Sequence, residues 1–310
     1  FMNSVEILAN GIALPKQRIE SKLLEDRFQL EENWIYDRTG INTRYYVKNE
    51  DLKILALNAV KNMLEKINVD VQEIGIIVFA STSTKHLMPG ISYIIQKELD
   101  IKKCMCLDIL CGCCGYINAF DIVRKYIALG EVKYGIIIGA DVLSDYTDDN
   151  DINTKVLLGD GAGATLLGKS NEKKIYFQNI TSEGQKGEIL TCNQNSKIFM
   201  DGKKVYKFGT TKPVECLKEL LENAGEKIEN IKYIIPHQSN LKMMKSMSEK
   251  LNIDFSKMYI NIDRIGNTFN ASIPIALNEM IDKNLIQRKD KIVLLGYGGG
   301  LNLGAILLEY

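Results

Sequence analysis

Apolar residues along this chain fall into two kinds of run. Residues 5–14 are mostly apolar and stop at Pro15, while Ile74–Ala80 and Tyr134–Ala140 are continuous apolar stretches. Runs of this length without polar alternation predict strands buried on both faces. Between them the spacing changes. Leu55, Ala59, Met63 and Leu64 fall on one face of a helix over 51–66. Ile117, Phe120, Val123 and Ile127 repeat at three- and four-residue steps behind another apolar run and a turn of small residues. Strands alternating with helices predict an α/β chain.

The second half repeats the first. A helix over Val214–Asn223 leads through Ile228-Glu229-Asn230-Ile231 into apolar Tyr233-Ile234-Ile235. Earlier, a helix leads through Val71-Gln72-Glu73-Ile74 into Ile76-Ile77-Val78. Leu157-Leu158-Gly159-Asp160-Gly161-Ala162-Gly163 is answered by Leu294-Leu295-Gly296-Tyr297-Gly298-Gly299-Gly300. The pattern predicts a duplicated unit with pseudo-twofold symmetry, its halves at 2–170 and 171–310. No Pro/Ser-rich linker separates them, so they are expected to pack as one body with a site between. The glycine run at 159–163 has strand-like residues on both sides and no following helix. It therefore reads as a tight turn between strands and not as a dinucleotide loop.

Composition narrows the function classes. Hydrophobic residues make up 45% and charged residues 25% of the 310, which suits a soluble globular protein. A formal net charge of +0 disfavours general attraction to nucleic acid. No apolar run approaches the roughly 20 residues of a membrane span, and no secretory pattern opens the sequence. Five of the seven cysteines lie between 104 and 114, without paired C-x-x-C knuckles and with only two histidines in the chain. A disulfide framework and a zinc site are both disfavoured, and a reducing cytoplasm is expected.

The chemistry centres on Leu107–Phe120, read as strand, sharp turn and helix, with the strand placed centrally in its sheet. A cysteine at such a turn meets the unpaired N–H groups that open a helix, and these favour thiolate over thiol. Cys113 is best placed, and Gly115 permits close approach of another chain or a ligand. A buried structural cysteine is the competing reading. His237 ends an apolar strand in Pro236-His237-Gln238-Ser239-Asn240, a usual site position in α/β sheets. Asn267 precedes an apolar helix from Ala271. Alone, the histidine could be a satisfied interior group and the asparagine a helix-entry residue. A cysteine, a histidine and an asparagine at element ends together suit acyl transfer. Trp34, the sole tryptophan, stands four residues before Arg38. That pair is either a packed surface corner or a clamp for a nucleobase between ring and guanidinium.

Taken in order, Trp34–Ile41, Asp108–Gly115, Gly159–Ala164, Pro236–Asn240, Asp263–Thr268 and Gly298–Gly300 resemble the β-ketoacyl-acyl-carrier-protein synthase III family of the thiolase superfamily. The resemblance covers essentially the whole chain. It implies a five-layer αβαβα thiolase-like fold, α/β in class, and a homodimer. It implies Cys113 as nucleophile, His237 and Asn267 as paired donors, and the Gly299 N–H beside the acyl thioester. Trp34, Arg38, Gly202, Ser239 and Asn240 would bind CoA or pantetheine. Met88 would reach the neighbouring subunit's acyl pocket, and Lys207, Lys242 and Lys250 would dock an acyl carrier protein. The expected reaction is acyl transfer from acyl-CoA to Cys113, then decarboxylative condensation with malonyl-acyl carrier protein to begin a fatty acid. Acyl-CoA is a substrate here, and no cofactor is implied. A related acyltransferase or condensing enzyme of a specialised pathway is the alternative, and a non-catalytic scaffold is a third reading. Hydroxymethylglutaryl-CoA synthase relatives add a catalytic glutamate that has no match beside Cys113 or His237. Four positions depart from the family: Ile152 replaces an arginine that helps bind adenine, Met88 a phenylalanine, and Cys111 and Cys114 alanines.

Overall fold

The computed structural model describes residues 3–193 and 196–310. In the first half, β1 (Val5–Ala13) is followed by a hairpin of β2 (Gln17–Glu20) and β3 (Thr43–Tyr46), which carries α1 (Ser21–Phe28) and α2 (Trp34–Thr39) between its strands. Then come α3 (Leu52–Leu64), β4 (Ile74–Ala80), α4 (Ile91–Glu98), β5 (Met105–Ile109), α5 (Gly115–Leu129), β6 (Tyr134–Asp141), α6 (Ile152–Lys155) and β7 (Gly161–Lys169). The second half holds β8 (Tyr176–Ser182), the short β9 (Leu190–Thr191) and β10 (Phe199–Met200), and α7 (Gly202–Ala224). It continues with β11 (Tyr233–Pro236), α8 (Leu241–Leu251), α9 (Ile262–Ile265), α10 (Ser272–Asp282), β12 (Lys291–Gly298) and β13 (Asn302–Glu309).

The two main sheets run β1-β7-β6-β4-β5 and β11-β12-β13-β8. In each, one parallel pair (β4 with β6, β11 with β12) is followed by two antiparallel pairs. The place that β5 takes beside β4 is held beside β11 by a single parallel bridge, Ile234 to Met258. Strand alternation sorts the core into layers, because successive side chains face opposite sides of a sheet. Ile76 and Val78 of β4 join Ile117, Phe120 and Val123 of α5 and Ile273 and Leu277 of α10 in one cluster, closed by Leu294 and Ile306 of the other sheet. Ile77 and Phe79 face the other way, onto Leu55, Ala59 and Met63 of α3. Val293 and Leu295 pack on Leu217 of α7 and Met244 of α8. Helix, sheet, helix, sheet, helix is the five-layer thiolase arrangement.

Three local expectations fail. β5 is an edge strand, not a central one. Only Cys106 of its five residues is buried, and Asp108 on it is committed to capping α4, accepting from the Ile91 and Ser92 N–H groups at 2.6 and 2.9 Å. Next, the glycine run is not a hairpin turn. Val156 and Leu157 belong to a turn that ends α6, and Leu158 makes one parallel bridge, to Asn267. The glycines serve packing instead. A Cβ on Gly163 would come 2.7 Å from Pro274, so α10 lies directly on β7. Finally, α7 begins at Gly202, not near Val214, and runs through Pro213. Asp201 caps its start by accepting from the Lys204 N–H, and the buried Phe208, Thr210 and Pro213 hold the early turns. Tertiary packing outweighs the proline there.

Candidate active site

Cys113 sits in a single 3₁₀ turn, Gly112–Cys114, between β5 and α5. Gly112 has φ +52°, and a Cβ on it would lie 2.2 Å from the Gly299 carbonyl oxygen. A Cβ on Gly298 would lie 2.6 Å from Cys113 Cβ. The turn after β12 therefore closes on the cysteine turn through backbone, which only glycine allows at those positions. The Gly299 and Cys113 backbone N–H groups lie where they favour negative charge on the sulfur. The close approach expected at Gly115 is made by Asn270, whose Oδ1 would be 2.5 Å from a Gly115 Cβ.

Cys113 opens onto a cavity of about 500 Å³ that His237 and Asn267 also line. Among the residues lining it, Cys113 is the sole cysteine. Cys114 is fully buried, with its sulfur against Gly296 and Gly304. The balance on the Cys113 thiol runs against the expected thiolate. Burial, and secondarily the Asp141 carboxylate, push it up, and the Gly299 and Cys113 amides pull only partly the other way. Cys113 is buried, and the 3₁₀ turn stands between it and the regular helix, so desolvation opposes the pull of the helix terminus.

His237 follows β11, and its imidazole is 2% exposed. Burial pushes it down to about 3, which makes it a neutral imidazole. Its Nδ1 lies 2.7 Å from Ser272 Oγ, and Ser272 Oγ lies 2.8 Å from the Phe269 carbonyl oxygen. Asn267 belongs to the second half but is stitched to the first. Its N–H donates to Leu157 O at 3.0 Å, and its carbonyl accepts from the Gly159 N–H at 2.9 Å. Its side-chain Oδ1 accepts from the Phe269 N–H at 3.1 Å. That bond orients the amide so that Nδ2 is the end left for a ligand.

Asp141, at the end of β6 and fully buried, fixes the same turn. Its Oδ2 accepts from the Asn270 N–H and Nδ2 at 3.1 and 2.8 Å. Donors from Ser81, Thr82 and Ser83 converge on Oδ1. Phe269 and Tyr297 also wall the cavity. Tyr297 meets the His237 ring edge-on at 5.4 Å, and its hydroxyl lies 2.7 Å from Ser239 Oγ. Asp141, Phe269, Ser272 and Tyr297 went unremarked in the sequence. Of these, only Asp141 carries a signal, a charge closing a continuous apolar strand.

Trp34, Arg38, Gly202, Ser239 and Asn240 all line the cavity. The clamp reading changes, however. Arg38 Cζ lies 3.9 Å from the Trp34 ring centroid, so the two stack directly on each other. A base between them would need contacts of roughly 3.5–4 Å on each of its faces. Asn240 caps α8 and donates from Nδ2 to Arg38 O at 3.1 Å. Ile152 and Trp34 both pack against the small core of Leu24, Ile35 and Val156. Lys155 is buried, with Nζ 2.9 Å from Asp149, whereas Lys203 is exposed and lines the cavity. Met88 is 93% exposed and does not line it. Lys207 and Lys242 stand exposed on α7 and α8, and Lys250 Nζ is tied to Thr210 O at 2.8 Å. Among the described residues no group of three or more histidine, cysteine or acidic side chains could hold a metal ion, and no helix is long and apolar enough to cross a membrane.

A duplicated five-layer fold with a cysteine, a histidine and an asparagine meeting between the halves defines a condensing enzyme of the thiolase type. Residues 107–184 match the 3-oxoacyl-[acyl-carrier-protein] synthase III family, and residues 221–310 match the C-terminal part of that family. The β-ketoacyl-[acyl-carrier-protein] synthase III of Clostridium acetobutylicum is 34% identical, over 100% of this chain and 99% of that one. That of Aquifex aeolicus is 36% identical, over 98% and 99%. The crystal structure of the Aquifex aeolicus enzyme superposes with a TM-score of 0.96 over 99% of this chain and 100% of that one, and a Thermus thermophilus relative, 29% identical, does so at 0.94 over 98% of each. The chain belongs to the β-ketoacyl-acyl-carrier-protein synthase III family, acyltransferases that begin fatty-acid synthesis by condensation.

Proposed function

We propose that Cys113 takes an acyl group from a thioester and passes it to a malonyl unit on acyl carrier protein. The observation that carries this reading is the convergence of Cys113, His237 and Asn267 on one cavity. The Cys113 sulfur attacks the acyl carbonyl, and the N–H groups of Cys113 and Gly299 receive the tetrahedral oxyanion. Malonyl thioester then enters, and loss of CO₂ leaves an enolate, so no base need remove a carbon-bound proton. Asn267 Nδ2 and His237 hold the enolate oxygen, and one such donor is typically worth about 3 kcal/mol of barrier. The carbanion attacks acyl-Cys113 and releases a β-ketoacyl product. No cofactor enters this scheme, and a cytoplasmic setting fits it.

Intact-protein mass spectrometry after incubation with acyl-CoAs and acyl-carrier proteins, followed by a malonyl-carrier-protein chase, tests the reading. A stoichiometric acyl adduct discharged as a β-ketoacyl thioester is expected. An adduct that malonyl-carrier protein cannot discharge would leave an acyltransferase with another acceptor. One observation favours a carrier-protein donor over acyl-CoA. Trp34 and Arg38 are stacked on each other, so adenine must displace Arg38 or lie outside the pair, and Lys203 is a second cation lining the cavity.

Partners follow from the surface. Lys207 and Lys242 are exposed beside cavity-lining Tyr206, Phe208, Asn240 and Met243 in the chain and have no ion pair among the described residues, and an acidic carrier protein would be steered to them. Reversing both charges should raise KM for malonyl-carrier protein several-fold at low salt and spare acyl loading. Lys250→Glu alone should do less, because its ammonium already serves Thr210. An unchanged KM in the double variant would remove this docking face. The outer edge of β5 offers a row of unpaired backbone groups beside exposed Met105 and Leu110. Exposed Leu87, Met88 and Tyr93 flank the start of α4, which Asp108 ties to the same strand. Such an edge is a pairing surface, and a second copy of the chain is its proposed occupant.

A further inference from the structure

We propose that Phe269 is the wall at which the acyl chain on Cys113 ends, so that this ring sets the length of acyl group the enzyme can load. This rests on Cys113 being the nucleophile. The cavity has two kinds of lining. Arg38, Asn153, Asp201, Lys203 and Asn240 give it charged and polar groups, which suit the carrier arm of a thioester. Cys113 belongs instead to an apolar cluster whose other buried members are Leu143, Leu158, Ile198 and Phe269. Of these, Leu158, Ile198 and Phe269 line the same cavity. An acyl chain carried by the Cys113 sulfur therefore has this cluster as its apolar surroundings. Tyr297, which meets His237 edge-on, packs in a different cluster with Met243 and Leu295. Phe269 is thus grouped with the cysteine, and not with the Tyr297 wall beside the histidine.

The backbone holds that ring in place. Phe269 has φ +45°, a left-handed conformation unusual for a bulky side chain. Every other non-glycine residue at positive φ among the described residues is polar. Such a conformation is strained, and it persists only where the surrounding structure over-determines it. Here the surroundings do so on both sides. The Phe269 N–H donates to Asn267 Oδ1 at 3.1 Å, and the Phe269 carbonyl accepts from Ser272 Oγ at 2.8 Å. The next residue, Asn270, donates from its N–H and Nδ2 to the buried Asp141 carboxylate. An acyl chain too long for the cluster cannot displace Phe269 by shifting its backbone. None of these bonds uses the ring. Any residue at this position could make them, and glycine would make them without strain. What the phenyl ring adds is bulk beside Cys113.

Loading with acetyl, butyryl, hexanoyl and octanoyl thioesters of pantetheine, followed by intact-protein mass, tests the proposal without involving the nucleotide of CoA. In the unaltered enzyme kcat/KM for loading should fall steeply beyond butyryl. Phe269→Gly removes the ring and relieves the backbone. Phe269→Leu keeps most of the apolar volume and serves where glycine costs too much packing. Each buried methylene is worth about fourfold in binding, so space for two or more should raise the octanoyl-to-acetyl ratio of kcat/KM by at least about 10-fold in Phe269→Gly, with Phe269→Leu between. A ring with a merely structural role would slow all four donors together and leave that ratio alone. An unchanged ratio in both variants overturns the proposal, and so does an unaltered enzyme that loads octanoyl as fast as acetyl. A fixed ratio with a changed KM for malonyl-carrier protein would also overturn it, because Phe269 would then wall the acceptor's side. Peptide mapping of the acylated sample keeps the two readings apart. An adduct away from Cys113 in the unaltered enzyme would sink the underlying assignment, whatever the length profile.

Discussion

Cys113→Ala is expected to lose self-acylation completely, while Cys111→Ala and Cys114→Ala keep it. Three cysteines within four residues make this a sharp comparison, because their surroundings differ so much. Of the three, only Cys113 lines the cavity. Cys114 points between α5 and the second sheet, where Gly296 and Gly304 make room for it and where no thioester can come. Cys111 lies before the turn, half-buried, and does not line the cavity. Removing the Cys114 sulfur costs some packing, so Cys114→Ala should unfold earlier yet still load. Intact mass after incubation with acyl thioester decides the matter. A fully acylated Cys113→Ala protein would eliminate the assignment, and so would a Cys111→Ala protein that no longer loads.

Asp141→Ala should cost several kcal/mol of stability, about 1–3 kcal/mol for each buried donor left without an acceptor. The carboxylate is fully buried and is the common acceptor for Ser81, Thr82, Ser83 and Asn270. Truncation would leave those donors without an acceptor in a place water does not reach. The loss should also be felt in the reaction. Asn270 sits between Phe269, which orients Asn267 and accepts from Ser272, and α10, which carries Ser272. Releasing Asn270 therefore loosens both His237 and Asn267, while the Cys113 turn loses its contact at Gly115 but keeps the backbone contact between Gly112 and Gly299. Condensation should fall further than loading. Denaturant titration with the slope held constant measures the first effect, and the ratio of the two half-reaction rates measures the second. A midpoint equal to that of the unaltered chain would refute the stability argument.

Much of the architecture could be read from local pattern. Ile74–Ala80 is one strand as anticipated, Leu55, Ala59 and Met63 face the core together, and the repeat reappears in the order of the two sheets. These features rest on periodicity, which short windows of sequence contain. What went unread depends on which segments meet. Nothing in Met105–Ile109 says that no strand lies beyond it. Nothing around Val156 tells a helix end from a strand before the bridge to Asn267 is known. That Cys113, His237 and Asn267 would line one cavity could be anticipated because each stands at the end of an element and the family's motifs surround them. Ser272 could not be, since a serine opening a helix usually means only a helix start. Its importance comes from His237, 35 positions earlier. The thiolate expectation meets an opposing effect for a related reason. A helix terminus is visible in sequence, but the degree of burial that opposes it is not.

The guanidinium lying on Trp34 also makes the enzyme its own indicator. The chain contains one tryptophan, placed at the cavity mouth with Arg38 against its ring. Indole emission responds to an adjacent positive charge and to contact with water, and here no second indole dilutes the signal. A thioester that displaces Arg38 or covers the ring therefore reports its arrival optically, with no label attached. The same titration ranks acyl donors before any bond is made, separating how tightly each is held from how fast it reacts.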